Sequence, residues 1–185
     1  METNKKVMFH KPPAGRNAFS LVELVIVVAI LGIVAAIALP RAMQSAVTGG
    51  NESSLIHNLA ALRRAIEIYA SEHDGDNPGV RPDGSGGGAN SVQTFINQLT
   101  MYSDHRGKVS ATGDTLHPYG PYLHKIPMAP VGKNQGRQDV AIDTSNATPL
   151  VTTGDEGWVY NPVTGRIIVN TDDPNSVGSR TYDEY

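Results

Sequence analysis

The sequence predicts an α+β fold: a long N-terminal hydrophobic helix, kinked near Pro40, whose C-terminal half packs on a small antiparallel β-sheet. Three observations predict it. From Phe19 to Leu39 only Ser20 and Glu23 are polar, and twenty-one helical residues rise about 32 Å, enough to cross a bilayer core. Further on, Leu55, Leu59, Leu62, Ile66 and Tyr69 recur at spacings of four and three, while Arg63, Arg64, Glu67 and Glu72 lie off that line. Near the C-terminus, Trp158-Val159-Tyr160 and Arg166 to Thr171 are β-rich runs joined by Asn161-Pro162-Val163-Thr164-Gly165, a hairpin pattern.

The chain of 185 residues has room for one modest globular domain on an apolar stalk, and not for two. It contains no cysteine, which excludes disulfides, zinc thiolate sites and cysteine nucleophiles together. The formal charge is −3, but Lys5, Lys6, Lys11 and Arg16 are concentrated in the first eighteen residues against Glu2 alone. Without them the balance is 11 basic against 17 acidic residues, or −6. Nucleic acid is not an expected direct partner, because phosphate binding needs a positive footprint.

Phe19 to Leu39 has no polar face, so it does not read as a soluble core helix. The basic leader, with no further positive charge until Arg41, orients the segment with its N-terminus in the cytoplasm and everything after Pro40 outside. A secretory signal would share the basic start, the apolar run and Ala36-Ile37-Ala38. Its apolar region is, however, only about 7 to 15 residues long. A plain membrane anchor would explain the length and leave Glu23 as a cost, since an acid at a spanning helix's centre costs about 2.5–3.5 kcal/mol and less near its end. An intramembrane acid needs a partner.

The stretch "AFSLVELVIVVAILGIVAAIALP" resembles the N-terminal processing and assembly motif of type IV pilins and of the pseudopilins of type II secretion. The resemblance implies cleavage by prepilin peptidase just before Phe19 and N-methylation of the new amine. Residues 1–18 are then a cytoplasmic leader, 19–39 the transmembrane or filament-core helix, 40–73 its amphipathic continuation and 74–185 a periplasmic globular domain of pilin-like fold. Glu23 becomes the fifth mature residue and Pro40 the twenty-second, the positions of the family's glutamate and proline. One residue departs from the pattern: the family usually has glycine before the scissile bond, where this chain has Ala18, with Gly15 three residues upstream. The processing set is thus Gly15, Ala18 and Phe19, and the assembly set Phe19, Glu23 and Pro40. With the leader removed, the Glu23 carboxylate lies about one turn from the new ammonium and can pair with that of its own subunit or of the next one entering a filament. The sequence leaves both open. Pro40 cannot donate to Ala36, so a kink or local melting is expected there.

Thr48-Gly49-Gly50-Asn51 is a poor helical stretch, and a break is expected near residues 48 to 52. The amphipathic helix that follows should stop in His73-Asp74-Gly75-Asp76-Asn77-Pro78. Gly84-Ser85-Gly86-Gly87-Gly88-Ala89 reads as a flexible loop, Ser91 to Tyr102 as a short helix capped by Ser91, and Asp104 to Thr115 as polar loop. "PYGPYLHKIPMAPV" reads as a rigid loop lying against the core, and the major pseudopilins have a comparable stretch. Gln138 to Asp143 and Pro149 to Thr153 are short strand candidates, and Asp172 to Tyr185 a polar, loose tail.

No nucleophile elbow, Walker loop or His-Glu-x-x-His occurs, so the expectation is a protein that is not an enzyme. His117 and His124 lack a third ligand and read as surface residues. The resemblance to major pseudopilins also implies calcium in a C-terminal loop. Asp155, Glu156, Asp172, Asp173 and Asn175 supply hard oxygens, with Asp172 and Asp173 the named ligand candidates. The absence of cysteine and the proline-rich loop lean toward the major pseudopilin. The partners it implies are further copies of the chain, other pseudopilins, prepilin peptidase, an inner-membrane platform protein, a cytoplasmic assembly ATPase and membrane lipid. The other readings are a pilin for adhesion, motility or DNA uptake, and a membrane-anchored binding module that never polymerises.

Overall fold

The computed structural model describes residues 20–145, 150, 152 and 154–185, and of 37–48 the main chain alone. In chain order the elements are α1 (Leu21–Glu72), α2 (Val92–Thr100), β1 (Tyr102–Ser103), β2 (Val109–Ser110), β3 (Val140–Ile142), β4 (Trp158–Asn161), β5 (Arg166–Val169) and a 3-10 turn, Tyr182–Glu184. The fold is α+β. Its contacts separate into two units, Met1–Met43 and Gln44–Tyr185.

Leu55, Leu59, Leu62, Ala65, Ile66 and Tyr69 are the buried stripe of α1. They meet Phe95 and Leu99 of α2 and one face of the sheet, Trp158, Tyr160, Ile167 and Val169. Each fully buried large side chain contributes about 1.5–3 kcal/mol. The expected break near residues 48 to 52 does not occur: α1 is continuous through Gly49-Gly50, and Ser54 donates its hydroxyl to the Gly50 carbonyl at 2.9 Å. Two glycines cost about 1 kcal/mol each. Once the stripe anchors the helix, each residue added upstream gains a hydrogen bond without a new nucleus. The same cooperativity carries α1 through Pro40, where the expected local melting is absent. One missing hydrogen bond does not end a helix that is continuous on both sides.

After Glu72 the chain reverses through Asp74 and Gly75, both at positive φ, with the Gly75 N–H on the Ala70 carbonyl at 2.9 Å. The glycine-rich segment is pinned, not flexible. Asp83 is fully buried, and its carboxylate accepts from the N–H groups of Ser85 (2.9 Å) and Gly87 (3.0 Å) and from the Asn97 amide (2.7 Å). A Cβ on Gly87 would run into Thr94 and Asp83, so glycine is needed there for close approach. Ser91 caps α2 as expected, its hydroxyl oxygen accepting from the Thr94 N–H at 3.2 Å.

The three-stranded sheet runs β3-β4-β5. β4 and β5 form the expected antiparallel hairpin, with Trp158 opposite Val169 and Asn161 opposite Arg166. β3 is parallel to β4, so the sheet is mixed and not purely antiparallel. The reason is the connection: residues 143–157 are long enough to carry the chain back to the starting end, as a parallel pair requires. Val159 and Ile168 point away from α1 and pack with Leu150, which leaves β4 buried on both faces. Leu150 lies outside any strand, and Pro149, Val151 and Thr153 of that strand candidate lie outside the described residues. The expected polar loop after Asp104 contains β2, which pairs antiparallel with β1. The proline-rich loop lies on the core through Ile126, Ala129 and Val131, and the Trp158 indole N–H donates to the Pro127 carbonyl at 2.8 Å.

The tail is docked, not loose. Glu52 Oε1 accepts from the Ser176 N–H at 2.5 Å and from the Tyr182 hydroxyl at 3.1 Å, and its Oε2 accepts from the Ser176 hydroxyl at 2.9 Å. Tyr182 packs into the main core, and Pro174 and Thr181 bridge as an antiparallel pair. The Ser176 N–H is the chief reason the Glu52 carboxyl lies below its usual range. Burial first, and then the Glu52 carboxylate, push the Tyr182 hydroxyl up to about 12.

Leu62 is fully buried and Ile56, on the same helix, is 55% exposed. Leu62→Ala should therefore cost about 2–5 kcal/mol of unfolding free energy, and Ile56→Ala no more than about 0.5 kcal/mol. Denaturant unfolding of the full chain in detergent micelles checks this. Because the folded Glu52 carboxyl is depressed, its contribution is complete above the unfolded carboxyl value of 4.5 and is lost as pH falls through the lower folded value. Hydrogen-exchange protection of the Ser176 amide should fall in that acid window, and Glu52→Gln should remove the pH dependence.

Candidate functional site

Glu23 is an exposed side chain in the first turn of α1, where the Leu24 N–H closes onto the Ser20 carbonyl at 3.1 Å. An acid suits that position, since the first turn carries the positive end of the helix dipole. Its neighbours are apolar and exposed: Leu21, Val22, Leu24 and Val25, with the same exposure continuing through Ile33 and Val34. No side chain from Leu21 to Ala36 is buried. Such a surface, apolar on every side, needs lipid or other helices to cover it. Among the described residues no helix is long and apolar enough to cross a membrane. Leu21 to Ala36, about 24 Å of helix, is the described part of the run from Phe19 to Leu39. Gly15, Ala18 and Phe19 lie outside the described residues, and Pro40 is described by its main chain alone.

The calcium candidates do not form an oxygen cage as they are arranged. Asp172 Oδ1 faces the Lys133 ammonium at 3.6 Å. Asp173 Oδ2 is already occupied by the Lys133 N–H and the Thr171 hydroxyl, both at 2.7 Å. Asn175 spends its side chain inside the tail, its Oδ1 accepting from the Ser179 N–H at 3.0 Å and its amide donating to the Ser179 and Tyr185 hydroxyls. A calcium site needs six to eight converging oxygens, and here donors converge on the acids instead. Among the described residues no group of three or more acidic or histidine side chains is placed to hold a metal ion.

A serine–histidine pair does occur. His73 Nε2 lies 3.0 Å from Ser103 Oγ, and Nδ1 lies 2.7 Å from the Tyr69 carbonyl, with the ring stacked on Tyr69 at 3.8 Å. Both side chains are buried, His73 at 1% and Ser103 at 0% exposure, so no substrate reaches the hydroxyl. The pair ties the end of α1 to β1. His117 holds Asp114 at 3.0 Å, and His124 is exposed.

Sequence reading missed one feature of the domain's surface. A trough with a cavity volume near 460 Å³ runs between α1 and the β4–β5 turn, with Arg63, Glu67 and Ala70 on one wall and Thr164, Gly165 and Arg166 on the other. Arg63, off the apolar line of its helix, is half-buried, donating to the main-chain oxygen of Tyr185 (3.0 Å) and to the Ile167 carbonyl (3.3 Å). No local pattern marks that role, because both acceptors are more than a hundred residues away along the chain.

Residues 14–39 match the family described as the prokaryotic N-terminal methylation motif. No curated protein and no solved structure matches the chain. The motif spans Ala18, Phe19 and Glu23, and it implies anchoring in a membrane through the N-terminal helix. It marks the chain as a type IV pilin-like or pseudopilin-like substrate of prepilin peptidase, a class made of structural subunits that assemble with one another.

Proposed function

We propose that the mature chain is a structural subunit of a type II secretion pseudopilus, cut before Phe19 and N-methylated there. It is held in the bacterial inner membrane by its N-terminal helix, with the domain in the periplasm, until a platform protein and a cytoplasmic ATPase move it into a filament with other pseudopilins. The observation that carries this reading is Glu23: the one acid of the apolar, exposed stretch Leu21–Ala36 of α1, inside a matched methylation motif. Filament assembly supplies both things that helix lacks, a cover of other helices and an ammonium for the carboxylate. In that seam a subunit in the wrong register leaves a buried charge unpaired, at about 3–5 kcal/mol. Subunit chemistry is burial and register. The absence of cysteine favours a pseudopilin over a pilin whose C-terminal loop is closed by a disulfide. In this chain the Glu52 hydrogen bonds to Ser176 and Tyr182 hold the tail.

Mass spectrometry of protein extracted from native membranes should give a chain starting at N-methylated Phe19. A start at Leu39 would mean an ordinary secreted domain, and an intact Met1 an anchor. Glu23→Gln should leave the amount of membrane-bound protein unchanged and lower filament yield more than about a hundredfold, the equivalent of one unpaired buried charge per subunit. Electron microscopy and sedimentation of sheared filaments read that loss. Normal filaments from the variant would sink the register role.

A further inference from the structure

From Asp139 onward the chain holds eight acidic residues against two arginines, and four of the acids stand in two short segments, Asp155-Glu156 and Asp172-Asp173. One segment precedes β4 and the other follows β5, at the end of the hairpin where Trp158 lies opposite Val169. Oxygens gathered at one end of a sheet need cations or N–H donors among them. A divalent cation is one way to supply that, and it is the one the calcium expectation names. This fold supplies another. Residues 132–137, Gly-Lys-Asn-Gln-Gly-Arg, carry two cations and no acid, and they form a turn that reaches both segments.

Asn134, only 6% exposed, donates its amide protons to two main-chain carbonyls, those of Glu156 (2.9 Å) and Asn170 (2.7 Å). Its neighbour Lys133 gives its main-chain N–H to Asp173 Oδ2 at 2.7 Å, beside the Thr171 hydroxyl. Two carbonyls and a carboxylate, the kinds of oxygen a calcium ion collects, thus face N–H groups of two consecutive residues. Arg137 serves the same end. Its guanidinium makes a two-point bond to the Asp139 carboxylate, at 3.2 and 2.8 Å, and Asp139 first, then Asp155 and Glu156, hold its pKa up. The exposed ion pair between the Lys133 ammonium and Asp172, at 3.6 Å, adds little by itself. The backbone is shaped for this approach: Gly132 has φ +75°, and a Cβ on it would run into Thr171. The Gly136 N–H on the Ala129 carbonyl (2.7 Å) and the Ala129 N–H on the Arg137 carbonyl (2.8 Å) close the base of the turn.

We propose that the turn 132–137 does in this domain what a bound calcium ion would do, tying the segment before β4 to the segment after β5, so that the fold is independent of divalent cations. Asn134 and the Lys133 N–H are the tie, and Arg137 is the counter-charge. The folded subunit then persists whatever the supply of calcium around it. This holds for the domain as folded and does not rest on the filament reading, which can fail while it stands.

The test compares thermal unfolding midpoints of the full chain in detergent micelles, once with calcium in excess and once with chelator in excess. The parent should unfold at the same temperature in both, and calorimetric titration with calcium alone should give no binding heat. Asn134→Ala removes two donors of the tie and should lower the midpoint by about 3–8 °C, equally in both buffers. Asn134→Asp puts a carboxylate where the amide protons were; it should lose as much in chelator and recover most of the loss in calcium. In native membranes, washing with chelator should leave the amount of protease-resistant domain unchanged. A parent midpoint that rises with calcium, an Asn134→Ala midpoint equal to the parent's, or an Asn134→Asp midpoint indifferent to calcium would each overturn the proposal. The parent's two midpoints decide its cation independence even where a variant does not fold.

Discussion

Leu55, Leu59, Leu62, Ile66 and Tyr69 form the contact on which the domain depends, because they supply the longest apolar stripe of the core that the inner face of the sheet shares with α2 and the proline-rich loop. Trp158, Tyr160, Ile167 and Val169 are buried because α1 lies over them. The β4–β5 turn, the proline-rich loop and the tail are placed in turn by reaching that helix or the sheet beneath it. The same helix is apolar on all sides over Leu21–Ala36 and amphipathic after Leu55. One continuous element thus presents two surfaces, one made for other helices or lipid and one for its own domain. The chain has no cysteine, so no disulfide holds the second part together, and helix burial does so.

The parts of the fold that were legible in the sequence rest on local signals. The stripe from Leu55 to Tyr69 is a helical period, Ser91 is a cap, and the residues between Tyr160 and Arg166 are a hairpin turn. Each needs only its neighbours along the chain. Elements decided by distant partners were not legible. β3 is parallel to β4 because of where residues 143–157 bring the chain back. Gly49-Gly50 stays helical because the stripe downstream holds the helix in place, and the glycine-rich loop is ordered by a buried Asp83 whose carboxylate no local pattern marks.

The candidate site divides the same way. Glu23 stands out as one acid in an apolar run, and its spacing from Phe19 and Pro40 carries the family resemblance without any tertiary information. The hydrogen bond from Arg63 to the Ile167 carbonyl joins a helix to a strand from the opposite end of the domain, and in sequence Arg63 stands only off the apolar line of its helix. Asp172 and Asp173 show the converse relation between sequence and space. They look like ligands in sequence because acids cluster there, yet in space the cluster is interleaved with Lys133 and Thr171.

The clasp between Glu52 and Ser176 spans 124 residues and joins the first turns of the domain to its last segment. A topology closed by its ends has high contact order and cannot be completed until both ends exist. During synthesis the apolar half of α1 emerges well before Ser176 and Tyr182 do. The clasp is therefore among the last contacts the chain can make, and a domain cut short before Ser176 would lack the closure of its first turns however complete its sheet.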